Sequence, residues 1–331
     1  MTPASATIGG GLILVTGGAG FIGSHVVCDL AAAGERVVVA DLMRSAGKWR
    51  YIAKAQLHDL VRPDAMFAWL DRHRGEIAAI VHLAAISATD EPDIDRYVAS
   101  NIRLGLDLWE WSAANRVRLI YASSAATYGD GAAGFGDDES PAALALLAPL
   151  NAYGWSKHVV DRRVAADSSS GRPTPPQWAG LKFFNVYGPN EAHKGAMQSI
   201  VSKILPVVAA GAPVNLFKSC DPAYPDGGQL RDFVYVEDCV AVVRWLLANP
   251  AVNGLFNVGT GTARSFAEVV GAVGAGLGVE PEIRFVDMPV SLRHQYQYFT
   301  RAEIVKLRAA GFAAGFRTIE EGVRDYLVPA R

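Results

Sequence analysis

The chain has 331 residues, half of them hydrophobic, with a net charge of −2. Such a length sustains a sizeable apolar core without covalent staples, as two domains or as one large core with a smaller partner. Near-neutral charge leaves no overall basic field for nucleic acid or an anionic membrane, and Cys28, Cys220 and Cys239, few and widely spaced, suit neither a disulfide framework nor a cysteine-ligated metal site.

The expected setting is the reducing cytoplasm. Met1 to Gly11 lacks a cationic start followed by an apolar run and reads as a short flexible leader; no apolar segment approaches the ~18 residues of a membrane helix. Leu12 to Thr16 is a short apolar strand. Gly17-Gly18-Ala19-Gly20-Phe21-Ile22-Gly23 and a helical pattern from Ser24 to Ala33 follow it. In this strand-to-helix setting, Gly17, Gly20 and Gly23 permit a tight turn, a pyrophosphate close to the helix N-terminus and close helix packing. Arg36 to Ala40 is a second strand, closed by Asp41, an acid placed to bind an adenosine ribose hydroxyl. Asp41 favours NAD because a carboxylate repels a 2′-phosphate, whereas Arg44 and Lys48 in the next loop can grip one. Spacing alone leaves the choice open; NADP is the expected cofactor, with NAD possible.

Ile77 to Leu83 is a further strand, running into the small residues Ala84 and Ala85; His82 is read equally as tight core packing. Tyr97 to Asn115 carries helical periodicity and Val117 to Ala122 is the next strand, ending in Ser123-Ser124-Ala125-Ala126-Thr127-Tyr128-Gly129. This alternation predicts an α/β fold with a doubly wound parallel sheet and ligands outside the carboxyl ends of the strands. Phe135 to Leu150 reads as irregular or a short helix. In Tyr153-Gly154-Trp155-Ser156-Lys157, at the start of a helix running to Asp167, Tyr153 and Lys157 share one face. A fixed cation there favours the phenolate and makes the phenol a usable acid and base, while Ser124 can hydrogen-bond a substrate oxygen. Ser168 to Pro176 is a surface connection, Leu181 to Val186 a strand, Met197 to Ala210 a helix, Val214 to Phe217 a strand and Val236 to Asn249 a helix. The expected division is a Rossmann domain over 12–185 and a smaller α/β substrate lobe over 186–331 with elements returning to the sheet.

The glycine turn, Ser124, Tyr153 and Lys157 together resemble the extended short-chain dehydrogenase/reductase superfamily. Within it, YASSAATYG (Tyr121 to Gly129), FNVYGPNEAHKG (Phe184 to Gly195) and RDFVYV (Arg231 to Val236) resemble the ADP-L-glycero-D-manno-heptose 6-epimerases. The likeness extends through GLFNVGTG and FTRAEIVKLRAAG almost to the C-terminus. Departures occur at Asn190, where a basic residue is usual, at Ala192, where glycine is usual, and at Leu83-Ala84-Ala85.

The resemblance implies a nucleotide-sugar epimerase that oxidises its substrate transiently, with ADP-heptose as substrate, a homo-oligomeric state and a role in lipopolysaccharide precursor supply. It assigns Tyr153, Lys157, Ser124 and Lys194 to catalysis, Lys194 as a second acid and base opposite Tyr153. Expected cofactor contacts are Gly17, Gly20, Phe21, Ile22, Gly23, Asp41, Leu42, Lys48, Leu83, Ala84, Ala85, Asn101, Tyr153 and Lys157. Expected substrate contacts are Ser87, Ser124, Asn185, His193, Lys194, Phe217, Arg231 and Tyr296; no metal is expected. Ala125 and Ala126 replace the acidic pair of the related 4,6-dehydratases. A UDP-hexose 4-epimerase and a non-catalytic dinucleotide-binding protein are the alternatives.

Overall fold

The computed structural model describes residues 10–43, 47–293 and 296–328; most of the expected leader, and Arg44, lie outside the described residues. Among the described residues twelve strands run in chain order: β1 Leu12–Thr16, β2 Arg36–Ala40, β3 Asp59–Val61, β4 Ile77–His82, β5 Arg118–Ser124, β6 Trp178–Phe183, β7 Asn185–Tyr187, β8 Val214–Phe217, β9 Leu230–Tyr235, β10 Gly254–Val258, β11 Ala263–Ser265 and β12 Ile283–Val286. Seven of them form a parallel sheet in the order β10-β6-β5-β4-β1-β2-β3. Chain order reverses between β1 and β4, which opens a crevice at the carboxyl ends of these strands.

Side-chain alternation explains why the sheet is covered on both faces. Ile13 and Val15 of β1 pack with Val26, Val27 and Leu30 of the helix Phe21–Ala32 and with Val243 and Leu246 of the helix Val236–Ala248. Leu12 and Leu14 point the other way, into a cluster with Leu70, Leu108, Trp109, Val160 and Val164. That second face is covered by the helices Met66–His73, Leu104–Asn115 and Ala152–Ser169. Strands buried on both faces need continuous apolar runs, and LILVT is one.

The remaining strands form a three-stranded sheet, β11-β9-β7, and a pair, β12-β8. Tyr187, Val201, Leu216, Phe233, Val269 and Val323 make a third cluster among them with the helices Ile200–Ala209, Phe266–Leu277 and Ile319–Leu327. Phe21 joins this cluster, so the first residue of the glycine-turn helix is packed by the later half of the chain.

Three expected elements come out differently. The helix expected over Tyr97 to Asn115 contains a π-helical stretch, Val98–Arg103. The single strand expected over Leu181 to Val186 is split between two sheets: the chain leaves β6 at Phe184, whose amide bonds Val258, and resumes in β7. The helix expected from Met197 begins at Ile200, where Ser199 caps it, after a 3-10 segment Ala192–Met197 broken by Gly195 at φ 53°. Among the described residues no helix is long and apolar enough to cross a membrane.

Candidate active site

The glycine turn closes around its own backbone. A Cβ on Gly23 would lie 2.1 Å from the Gly17 carbonyl oxygen, and one on Gly17, at φ +68°, would lie 2.7 Å from the Ala84 amide nitrogen. The turn therefore brings β1, β4 and the helix N-terminus together. The helix starts at Gly20 without a side-chain cap, which leaves its first amides open to an anion. Asp41 at the end of β2 accepts from the Ala19 amide at 2.8 Å and the Leu42 amide at 2.6 Å, and pairs with Lys48 Nζ at 2.6 Å. A cleft of about 440 Å³ lies beyond, lined by Asp41, Leu42, Met43 and the stretch from Leu60 to Asp64. Open helix amides, an acid and a half-open cleft in sequence along the strand ends fit the pyrophosphate, ribose and base of a dinucleotide.

Tyr153, Lys157 and Ser124 meet at the end of β5. Asn151 caps the helix Ala152–Ser169 through the Gly154 amide at 2.9 Å, which fixes Tyr153 in the first turn. Ser124 Oγ accepts from the Ala126 amide at 3.1 Å and is free to donate its proton to the phenol. Burial pushes the Tyr153 pKa up and the Ser124 hydrogen bond pulls against it. Lys157, buried, donates to the Ala122 carbonyl at 2.9 Å. Desolvation brings its pKa down to about 8, against the opposing pull of Asp161. The Lys157 ammonium is turned to the β5 carbonyl, and the Ser124 hydroxyl favours the phenolate.

Thr16 and His82, at the ends of β1 and β4, join at 2.7 Å, and Thr16 Oγ1 also accepts from the Ala84 amide. Burial and the nearby Lys157 push the His82 pKa down to about 3, so its ring is neutral. Leu83 and Ala84 thereby run along the glycine turn. Asn101, expected to touch cofactor, is buried and bonded within the protein. It accepts from the Ile86 amide and donates to the Ile86 carbonyl and to Ser156. Its carboxamide clamps the stretch leading to exposed Ser87 against the Tyr153 helix.

The segment after β7 is folded onto the glycine-turn helix. Asn190 donates to Ser24, and the Pro189 carbonyl meets His25. Lys194 Nζ sits 4.8 Å from the Phe21 ring centroid and 3.0 Å from Glu191. Glu191, fully buried, also accepts from the Gly188 amide, the Ser199 amide and the Ser199 hydroxyl. His193 packs against Tyr51 at 5.6 Å; burial and Lys48 lower its pKa. The two residues expected to contact substrate are thus brought beside the cofactor cradle.

Arg231 is buried and, among the described residues, pairs with no carboxylate. It donates to the carbonyls of Leu230 and Gln297, and its guanidinium lies 5.2 Å from the Tyr296 ring and 5.7 Å from Phe266. Neighbouring Asp232 is occupied by Thr260, Gly261 and Ala302, which removes it as a partner. Phe217 stacks edgewise on Tyr296 at 6.4 Å, while Asn185 is exposed at the start of β7. A buried, aromatic-flanked guanidinium without a counter-anion suits a ligand that brings its own negative charge.

Residues 13–259 match the NAD dependent epimerase/dehydratase family. The chain belongs to this family. It is 45% identical over 320 residues to an ADP-L-glycero-D-manno-heptose-6-epimerase of Nitratidesulfovibrio vulgaris, covering 96% of this chain and 97% of that one. The crystal structure of the Helicobacter pylori enzyme of that name superposes with a TM-score of 0.78 at 27% identity, covering 98% of this chain and 97% of that one. A Thermus thermophilus UDP-glucose 4-epimerase in complex with NAD superposes at 0.74 with 29% identity, covering 95% of this chain and 97% of that one.

The family is NAD dependent, and the residues present at the glycine turn fit a nicotinamide dinucleotide. Sequence reasoning passed over the polar residues beneath it. Asp161 lies one turn beyond Lys157 on the same helix face, a spacing that signals contact. Lys182 is a lone cation in the fully buried strand WAGLKF, where a charge demands a partner. Glu191 stands in a stretch singled out for Lys194, but its role as the anchor of that stretch has no local signature.

Proposed function

We propose that this enzyme converts ADP-D-glycero-D-manno-heptose to ADP-L-glycero-D-manno-heptose, inverting C6 by transient oxidation. The observation that carries the reading is the pair of separate proton-handling groups: Tyr153 beside Ser124 at the end of β5, and Lys194 over Phe21 at the first turn of the glycine helix. The near full-length likeness to enzymes of that name supports the substrate.

A nicotinamide dinucleotide held by the glycine turn, Asp41 and Lys48 would supply the hydride acceptor and donor for inversion at C6. Tyr153 takes the C6 hydroxyl proton as the C6–H bond breaks, and Ser124 donates to the oxygen that becomes the ketone. Rotation about C5–C6 presents the second face. Lys194 then protonates the oxygen as the C–H bond re-forms with opposite configuration. Arg231 holds the diphosphate between the rings of Tyr296 and Phe266, with Phe217, Asn185, His193 and Ser87 around the sugar nucleotide. Methyl groups at Ala125 and Ala126 offer no acid for eliminating water, which separates the site from a dehydratase.

The cofactor is NADP in this reading: Lys48 offsets the charge of Asp41, which otherwise repels a 2′-phosphate. The enzyme works in the cytoplasm as a homo-oligomer, with residues 186–331 supplying most of the substrate lobe.

Deuterium at C6 is expected to stay in the product in ordinary water; wash-out to solvent refutes hydride return. Lys194→Met is expected to abolish epimerisation with cofactor still bound, and near-normal turnover removes Lys194 from its role. Turnover of UDP-glucose but not ADP-heptose would transfer the enzyme to the 4-epimerases.

A further inference from the structure

We propose that the buried Lys182–Asp161 ion pair is a positioning element for the reaction, holding the Ser124 turn and the Lys157 helix in register beneath Tyr153. The inference rests on Tyr153 being the acid and base. Lys182 rises from β6 and Asp161 from the Tyr153 helix; Nζ and Oδ2 are 2.7 Å apart, with neither side chain exposed.

The tethers converge on the catalytic groups. Asp161 accepts from the Ser123 hydroxyl at 2.7 Å and the Tyr121 hydroxyl at 3.1 Å. Lys182 makes a second bond, to Thr127 Oγ1 at 2.7 Å, and Thr127 donates in turn to the Ser124 carbonyl at 2.8 Å. Ser124 is thus held from the residue before it and from its own carbonyl, while Asp161 sits one turn along the helix from Lys157.

Stability alone does not explain such a pair. Desolvation offsets the attraction of two buried charges, so an apolar pair of similar volume commonly serves a fold as well. What the ions add is direction, since donors and acceptors of fixed geometry lock the residues that carry them. They also add a field. The groups facing Lys157 are neutral His82 from β4, the Ala122 carbonyl from β5 and Asp161 from its own helix, with Ser124 and Tyr97 facing Tyr153. Asp161 is the anion in that set and favours the charged form of Lys157.

The test uses the cofactor-loaded full chain carrying Asp161→Asn with Lys182→Met, which removes both charges together. Two quantities are read: steady-state turnover, and the titration of Lys157 by NMR in lysine-labelled protein, with its resonance assigned by loss in Lys157→Arg. The expected result is a fall of at least tenfold in kcat with KM within twofold, and a Lys157 midpoint moved down from about 8. Lys182→Arg, which keeps the cation, is expected to restore kcat to within threefold of wild type. Unchanged kcat and midpoint in the double variant overturn the proposal. Should that variant fail to fold, Ser123→Ala removes one tether alone: a severalfold fall in kcat at constant KM supports the proposal and an unchanged kcat overturns it. Absence of wild-type turnover on every nucleotide sugar would refute the functional reading, whereas the Lys157 midpoint answers the positioning claim with no substrate present.

Discussion

Replacing Gly154 by alanine separates the geometry of the site from the stability of the fold. Gly154 follows Tyr153 and faces the turn that begins at Ser124. An added Cβ would lie 2.5 Å from the Ala126 carbonyl oxygen, 3.0 Å from its carbon and 3.3 Å from the Ala126 Cβ. Reaching ordinary contact requires the helix and the turn to part by roughly 1 Å. Both contacts at 3.0 Å or less are with backbone, so no flexible side-chain end can absorb the shift. Such overpacking costs about 1–3 kcal/mol, while alanine gains about 1 kcal/mol of helix propensity over glycine. The net loss of stability is therefore about 0–2 kcal/mol. The reaction is more sensitive, because a misplacement of about 1 Å lowers turnover on the order of 100-fold. Gly154→Ala should thus remain folded and bind cofactor, with a denaturation midpoint lowered by a few degrees and kcat reduced by two orders of magnitude. A variant within threefold of wild-type kcat would refute the idea that the Ser124 turn sets the position of Tyr153.

Lys48→Ala should weaken NADP binding by about 10–100-fold, the value of one hydrogen bond to a charged group, and change NAD binding less than threefold; equal losses for both cofactors in a titration would remove Lys48 from phosphate recognition. Arg231→Lys keeps the charge but loses the planar fork, so KM for the nucleotide sugar should rise at least tenfold with a smaller change in kcat, and a constant KM would exclude Arg231 as the diphosphate contact. His82 has its pKa lowered from 6.5 to about 3, so the unfolded chain takes up a proton there that the folded chain refuses as pH falls. Its contribution is constant above pH 6.5 and is lost between that pH and about 3. Measured by urea denaturation at pH 6 to 4, stability should fall less steeply in His82→Gln than in wild type, by about 1 kcal/mol per unit, and parallel slopes would show that His82 is not the titrating group.

The parts of the site that the sequence made legible are those where one chemistry occupies one short stretch. Gly17, Gly20 and Gly23 are tied to a strand before and a helix after; Tyr153 and Lys157 are tied by helix periodicity; Ser124 is tied to the end of an apolar run. Each rests on contacts within a few residues, and the seven-stranded sheet places all three beyond the carboxyl ends of its strands. The C-terminal half was less legible because its strands are short and paired across the chain: β9 lies between β7 and β11, and β10 joins β6 from more than seventy residues away. The main-sheet edge strand GLFNV carries no alternation to announce it, since both its faces are buried.

The loop after β7 shows the same limit at the level of a single residue. The spacing His193-Lys194-Gly195 draws attention to a lysine, but a lysine on an irregular segment is a directed group only if something fixes it. Glu191 does so, with its side chain fully buried and with donors from Gly188, Lys194 and Ser199 converging on one carboxylate. Those donors join the end of β7, the 3-10 turn and the cap of the helix Ile200–Ala209. Losing the carboxylate would free the turn and the helix start together. The proton-handling role proposed for Lys194 thus rests on a buried acid three residues before it, just as the role proposed for Tyr153 rests on the serine turn packed against Gly154.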